Sequence, residues 1–136
     1  MADKQMKLLG LHHVTAIVED LDKTTAFYRD TLGLALVEEA DNPDDPGTRH
    51  FWFGDATGEP GSLVSFMEYP EMDAATEGRG ATHHFAFAVS GKDELAAWRD
   101  YLESRNIPAS EVFTRGRFSS IYFRDPDGHL LELATR

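Results

Sequence analysis

The sequence predicts an α+β fold built from two βαβββ modules whose strands form a curved mixed sheet. Three observations lead there. Leu11-His12-His13-Val14-Thr15-Ala16-Ile17-Val18 is echoed by Thr82-His83-His84-Phe85-Ala86-Phe87-Ala88-Val89, with His13 and His84 71 residues apart. The same offset sets Asp22 over Asp93, Ala26 over Ala97 and Phe27 over Trp98, so the echo runs on into a helix. Third, each copy leads through an amphipathic helix into three strand-like segments, with a polar, Gly-containing stretch between copies.

In order, residues 11–18 alternate as a strand, with His13, Thr15 and Ile17 on one face and Val14, Ala16 and Val18 on the other. Asp20 is placed to cap a helix whose Leu21, Thr25, Tyr28 and Leu32 share a stripe, and Gly33 stands where a left-handed C-terminal residue is wanted. Leu34 to Glu39 reads as a strand and Ala40 to Gly47 as a loop of breakers. Arg49 to Phe53 and Ser62 to Tyr69 complete the first module, residues 8–69.

Residues 70–80 form the expected linker, and the second module covers 81–135. A strand is expected over Thr82 to Val89. Ser90 with Asp93 makes a candidate capping box for a helix with Leu95, Trp98 and Leu102 on its apolar stripe, and Pro108 follows its end. Strands are expected near Glu111 to Arg115, Phe118 to Arg124 and His129 to Ala134, the last two joined by the turn Asp125-Pro126-Asp127-Gly128.

Composition narrows the function classes. A chain of 136 residues is one domain's worth, with 41% hydrophobic and 27% charged residues as in ordinary globular proteins. A net charge of −11 argues against nucleic acid or an anionic membrane as partner, because both repel such a surface. With no cysteine there are no disulfides or thiolate ligands, so a metal must take nitrogen and oxygen donors. Met1-Ala2-Asp3-Lys4-Gln5 lacks the apolar core of a leader, and no apolar run approaches a membrane span; a cytoplasmic location is expected.

Three residues form a candidate metal site: His13 and His84, at matching positions of the two modules, and Glu132, a carboxylate within the apolar Leu130-Leu131-Glu132-Leu133. A lone strand-end histidine is more often hydrogen-bonded structure, and a lone glutamate beside leucines often faces water. Two histidines at one repeat-equivalent position shift that balance. Two imidazoles and one carboxylate on one face of a metal leave positions open, an arrangement suited to non-haem Fe(II) and O₂. Aligning Pro60-Gly61-Ser62-Leu63-Val64-Ser65 with Asp127-Gly128-His129-Leu130-Leu131-Glu132 sets Ser65 opposite Glu132, while alternation turns Glu68 to the other face. The first module is thus expected to give one ligand, not two.

Gly10-Leu11-His12-His13-Val14-Thr15-Ala16-Ile17, Asp45-Pro46-Gly47-Thr48-Arg49-His50, Phe53-Gly54-Asp55, Gly58-Glu59-Pro60-Gly61 and the run from Arg115 to Gly128 carry a resemblance over nearly the whole chain. The chain resembles the vicinal oxygen chelate superfamily of glyoxalases, bleomycin resistance proteins and extradiol dioxygenases, and within it the ring-cleaving dioxygenases acting on hydroquinones. Those dioxygenases usually carry four modules, with the metal ligands on the first and last; this chain has two. The resemblance therefore implies a homodimer with two sites, each combining His13 of one chain with His84 and Glu132 of the same chain or the other. It also implies catalytic roles for His12, Thr15, Arg115 and Tyr122: a proton shuttle at His12, a hydrogen bond to a bound oxygen from Tyr122, and stabilisation of a developing anion by Arg115. Simple alternation points His12 away from His13, and Tyr122 faces Glu132 only if the Asp-Pro-Asp-Gly connection adds an odd residue. His50, His83 and His129 read as structural, and Phe51, Phe53, Phe66, Phe85 and Phe87 as core that in part lines an aromatic pocket.

The expected activity is ring cleavage of a small dihydroxylated aromatic, a hydroquinone or catechol, by O₂ with Fe(II) or Mn(II). Two rivals share the fold: a glyoxalase-like isomerase or lyase using the metal as a Lewis acid, and a non-catalytic dimeric binder of an aromatic drug or metabolite. The first calls for a carboxylate where Ser65 stands, and the second for no metal.

Overall fold

A computed structural model describes residues 5–136; the N-terminal residues read above as lacking a leader core fall outside that range, except Gln5. The chain divides into two compact units between Met72 and Asp73. Each carries one four-stranded mixed sheet and one helix, the two βαβββ modules expected from the repeat.

In the first unit the strands are β1 (His13–Val18), β2 (Ala35–Asp41), β3 (Arg49–Gly54) and β4 (Leu63–Glu68), in spatial order β1-β4-β3-β2. Only the β1–β4 pair is parallel. The helix α1 (Leu21–Thr25) starts where Asp20 accepts a hydrogen bond from the Asp22 backbone N–H at 2.8 Å, as the sequence predicts. It then widens into a π-helical stretch, Ala26–Thr31, in which Leu32 N–H donates to Phe27 C=O at 2.9 Å. Adjacent Phe27 and Tyr28 are both buried as a result, a packing that regular 3.6-residue spacing does not foretell. Gly33 takes the expected left-handed conformation, φ +84°. Val18, Leu21, Phe27, Tyr28, Phe51, Phe53, Val64 and Phe66 form this unit's core. β2 runs to Asp41, two residues past the expected end, because Ala40 and Asp41 find partners in His50 and Arg49.

The second unit holds β5 (Phe85–Val89), β6 (Phe113–Arg115), β7 (Phe118–Arg124) and β8 (Leu130–Thr135) in the order β5-β8-β7-β6, with β5–β8 parallel. Its helix α2 (Lys92–Ser104) packs on β7 and β8 through buried Leu95 and Leu102, facing Ile121, Phe123, Leu131 and Leu133. Two expectations fail here. The N-cap of α2 is Gly91, without a side-chain hydrogen bond, so Ser90 and Asp93 do not form a capping box. The strand begins at Phe85 rather than Thr82, because its ladder to β8 opens at the Phe85–Leu131 pair and leaves His83 and His84 ahead of it. Among the described residues no helix is long and apolar enough to cross a membrane.

Candidate metal centre

The two sheets present corresponding faces. In each unit the residues alternating away from the helix are those the sequence singled out. On β1 these are His13, Thr15 and Ile17, all exposed, while Val18 is buried on the helix side.

In the second unit Glu132 sits between Leu131 and Leu133, which face α2, so its own side chain points to the opposite side of the sheet. It is a buried carboxylate, and a buried charge is costly unless it is hydrogen-bonded or paired. Its two oxygens have separate partners. Ser120 donates its hydroxyl to Oε2 in a short hydrogen bond, and His84 Nε2 lies 2.8 Å from Oε1. His84 in turn meets His83 through their Nδ1 atoms at 2.9 Å. The parallel register places Ala86 beside Glu132, and His84, two residues earlier just ahead of the ladder, reaches the carboxylate from there.

Tyr122 is the direct cross-strand partner of Glu132. The connection between Arg124 and Leu130 holds the five residues Asp125 to His129, an odd number, with Gly128 at φ +90°. The condition the sequence set for Tyr122 is therefore met. Its ring lies edge-on to His84 at 5.8 Å, and its hydroxyl accepts a 3.2 Å hydrogen bond from Arg115 Nη1. The Arg115 guanidinium also covers the Phe113 ring at 4.9 Å.

In the first unit the His12 and His13 Nδ1 atoms lie 3.0 Å apart, mirroring His83 and His84. Alternation predicted otherwise, but β1 starts at His13, so His12 precedes the pleat and is not bound by it. The Gly61 N–H, at φ +95°, holds the His12 carbonyl at 2.8 Å and fixes the entry to the strand. His13 packs edge-on against Trp52 at 4.6 Å. Ser65 pairs with Thr15 in the parallel ladder as Glu132 pairs with Ala86, which bears out the alignment of Ser65 with Glu132. Glu68 faces the helix side as predicted: it accepts from Leu21 N–H at 2.7 Å and holds Arg49 through two hydrogen bonds.

Sequence reasoning passed over Ser120 and read His83 and His50 as structural. His83 could have been found from the offset that pairs it with His12. Ser120 and His50 are marked only by register, since Ser120 lies opposite Ala134 as His50 lies opposite Met67. His129 is engaged in the β7–β8 turn, its Nδ1 2.7 Å from Asp125 Oδ2. Phe51, Phe53 and Phe66 are core, whereas Phe85 and Phe87 are half-buried.

The donor chemistry on the second unit fits a divalent metal. An imidazole nitrogen and a carboxylate oxygen face one another, and the far atom of each is tied by a neighbour, as outer-shell partners tie metal ligands. Within each unit, no three His, Asp or Glu side chains gather as a ligand cluster among the described residues.

This chain belongs to the Glyoxalase/Bleomycin resistance protein/Dioxygenase superfamily, whose model matches residues 10–133. It is 37% identical over 132 residues to the "Putative ring-cleaving dioxygenase MhqO" of Bacillus subtilis (strain 168), covering 96% of this chain and 41% of that protein. A crystal structure of a "putative dioxygenase" from Bacillus subtilis subsp. subtilis str. 168 superposes with a TM-score of 0.89 at 36% identity, over 97% of this chain and 42% of that one. The chain thus spans about two-fifths of the length of these relatives. It is also 32% identical to the metallothiol transferase FosB of Staphylococcus saprophyticus, over 93% of this chain and 76% of that protein, so the superfamily carries more than one chemistry.

Proposed function

We propose that this protein is a metal-dependent ring-cleaving dioxygenase acting on a small dihydroxylated aromatic, a hydroquinone or catechol, with His13, His84 and Glu132 as ligands to Fe(II) or Mn(II). The observation that carries the reading is the buried Glu132 carboxylate facing His84 Nε2 at 2.8 Å with Ser120 on its other oxygen. Similarity to ring-cleaving relatives over nearly the whole chain supports it. The metal, when bound, supplies Lewis-acid polarisation of a ring hydroxyl and a redox path to O₂.

The chain's own residues then have distinct tasks. Ser120 fixes the Glu132 carboxylate, leaving Oε1 as the donor atom. Tyr122, its hydroxyl already accepting from Arg115, offers a phenolic proton to substrate oxygen, and Arg115 stabilises negative charge there. His12 and Thr15 handle protons beside His13. The working form is a cytoplasmic homodimer with two sites, His13 coming from the same chain or from the second copy.

The glyoxalase-like alternative is disfavoured by Ser65, a hydroxyl where a further carboxylate ligand is needed, already engaged with His50 and Thr15. Anaerobic purification with metal analysis, followed by an O₂-uptake screen over catechols and hydroquinones, tests the proposal. Ring cleavage that needs Fe(II) or Mn(II) and vanishes in His84→Ala is expected. Full activity in that variant, or activity without metal, rules it out.

A further inference from the structure

The two units differ in what steadies the histidine at the start of the first strand. In the second, the His84 ring is engaged at both nitrogens, with His83 at Nδ1 and with Glu132 Oε1 at Nε2. In the first, Ser65 stands in the place of Glu132, and its hydroxyl is already taken by Thr15 Oγ1 at 2.7 Å and His50 Nε2 at 2.9 Å. Among the described residues His13 has one side-chain hydrogen bond, shared between its Nδ1 and that of His12. It is exposed, so a single tether leaves its ring without the second anchor that His84 has.

An aromatic contact stands where that anchor is missing. Trp52 is the cross-strand partner of Ser65, as Tyr122 is of Glu132, so the indole occupies the first unit's equivalent of the Tyr122 position. Its ring lies edge-on to His13 with centroids 4.6 Å apart, closer than the 5.8 Å between Tyr122 and His84. His50, two residues earlier on β3 and therefore on the same face, stacks on the indole at 5.0 Å with an interplanar angle of 27°. His50 is buried and hydrogen-bonded to Ser65, which is itself buried. The indole thus rests on a dry, hydrogen-bonded base that spans three strands and ends at Thr15.

We propose that Trp52 is a positioning residue for the metal ion, acting through His13. The indole holds the imidazole in one orientation, with Nδ1 at His12 and Nε2 left for a divalent cation. A ligand whose rotamer is locked by packing gives up less freedom when it binds, and so binds more tightly. Ser65 and His50 serve the site as the footing of the indole, which gives the hydroxyl at position 65 a use other than ligation. The inference rests on the reading of His13 as a metal ligand.

Co(II) binding to the full chain tests this without turnover. Competition with a chromophoric chelator gives the affinity, and the visible ligand-field bands at saturation report the coordination geometry. Trp52→Leu is expected to weaken Co(II) binding by about 10- to 100-fold, the range for loss of an outer-shell partner, and to shift the bands. Trp52→Phe, which restores a ring, is expected to recover most of the affinity and the wild-type bands. A packing role alone would lower stability in urea and leave the bands of the saturated protein unmoved. A second measurement keeps Trp52 in place. Trp98→Phe, on α2 of the other unit, removes the chain's other tryptophan, and saturating Co(II) should then quench the remaining emission, because energy passes efficiently from an indole to a metal at short range. When His13→Ala weakens binding, wild-type affinity and bands in Trp52→Leu, or unquenched Trp52 emission, overturn the positioning role and leave the ring-cleaving reading standing. Unchanged affinity in His13→Ala removes His13 from the ligand set and overturns both.

Discussion

Ser65 and Glu132 occupy the same place in the two units, each facing a first-strand residue across a parallel ladder, Thr15 for one and Ala86 for the other. Duplication supplied one backbone position, and the side chains have diverged into different chemistry. In the second unit the position holds a carboxylate fixed by a serine and an imidazole. In the first it holds a hydroxyl between a threonine and an imidazole. A carboxylate suits cation binding, whereas the neutral Ser65 hydroxyl, hydrogen-bonded on both sides, is a weaker donor to a cation.

Glu132→Gln keeps the size and hydrogen-bonding capacity of the side chain but removes its charge. The metal-free fold should be as stable as wild type or slightly more so, because burying a charge is costly. Divalent-metal affinity should fall by more than about 100-fold, beyond the range seen when only an outer-shell partner is lost. Chelator competition and urea unfolding of the same samples measure both. Unchanged metal affinity would remove Glu132 from the ligand set.

Ser120→Ala strips the Oε2 partner from a buried carboxylate. The loss should cost about 1–3 kcal/mol in the metal-free protein, the penalty of an orphaned buried polar group. Metal affinity should drop by about 10- to 100-fold, since the carboxylate is no longer held in one rotamer. A loss of stability without any change in metal affinity would confine Ser120 to a structural role.

Part of the polar cluster on the second unit was legible in the sequence, and the remainder was hidden for identifiable reasons. The echo of His12-His13 in His83-His84 and the acid among leucines are local patterns, and they led to His13, His84 and Glu132. The facing of Tyr122 toward Glu132 depends on hairpin parity, which the turn residues alone leave open; the five-residue connection settles it. Alternation misjudged His12 because it presumes strand membership, and β1 starts one residue later. Ser120 gave no signal and His50 read only as structural, because a serine or histidine in a strand gains meaning from its neighbours across the sheet. The π-helical turn after Thr25 likewise has no mark in the hydrophobic spacing.

The β7–β8 turn should lose stability on the alkaline side. The hydrogen bond from His129 to Asp125 raises the imidazole pKa, against the opposing effect of burial. A raised folded-state value means the stabilisation is complete below the unfolded imidazole pKa and fades as pH rises through the folded one. The stability difference between wild type and His129→Gln, followed by urea unfolding from mildly acidic to mildly alkaline pH, should therefore shrink as pH rises. A difference that grows with pH would refute the assignment.

Glu68 should show the opposite dependence. Its carboxylate binds Arg49 at 3.0 and 2.7 Å and accepts the Leu21 N–H at the start of α1, so one side chain joins β4, β3 and the helix. The Arg49 hydrogen bond is the largest cause lowering its pKa, desolvation opposes it, and the Leu21 N–H adds to the lowering. A depressed folded-state value gives stabilisation present above the unfolded carboxylate pKa and lost as pH falls through the folded one. Glu68→Gln should cost about 1–3 kcal/mol at neutral pH, toward the lower end because the Arg49 side chain is 38% exposed and solvent screens the pair. In acid the wild-type carboxylate becomes protonated and the gap between the two proteins should close. Urea unfolding of both at neutral and acidic pH measures that convergence, and a gap independent of pH would mean that packing at Glu68, rather than its charge, holds α1 to the sheet.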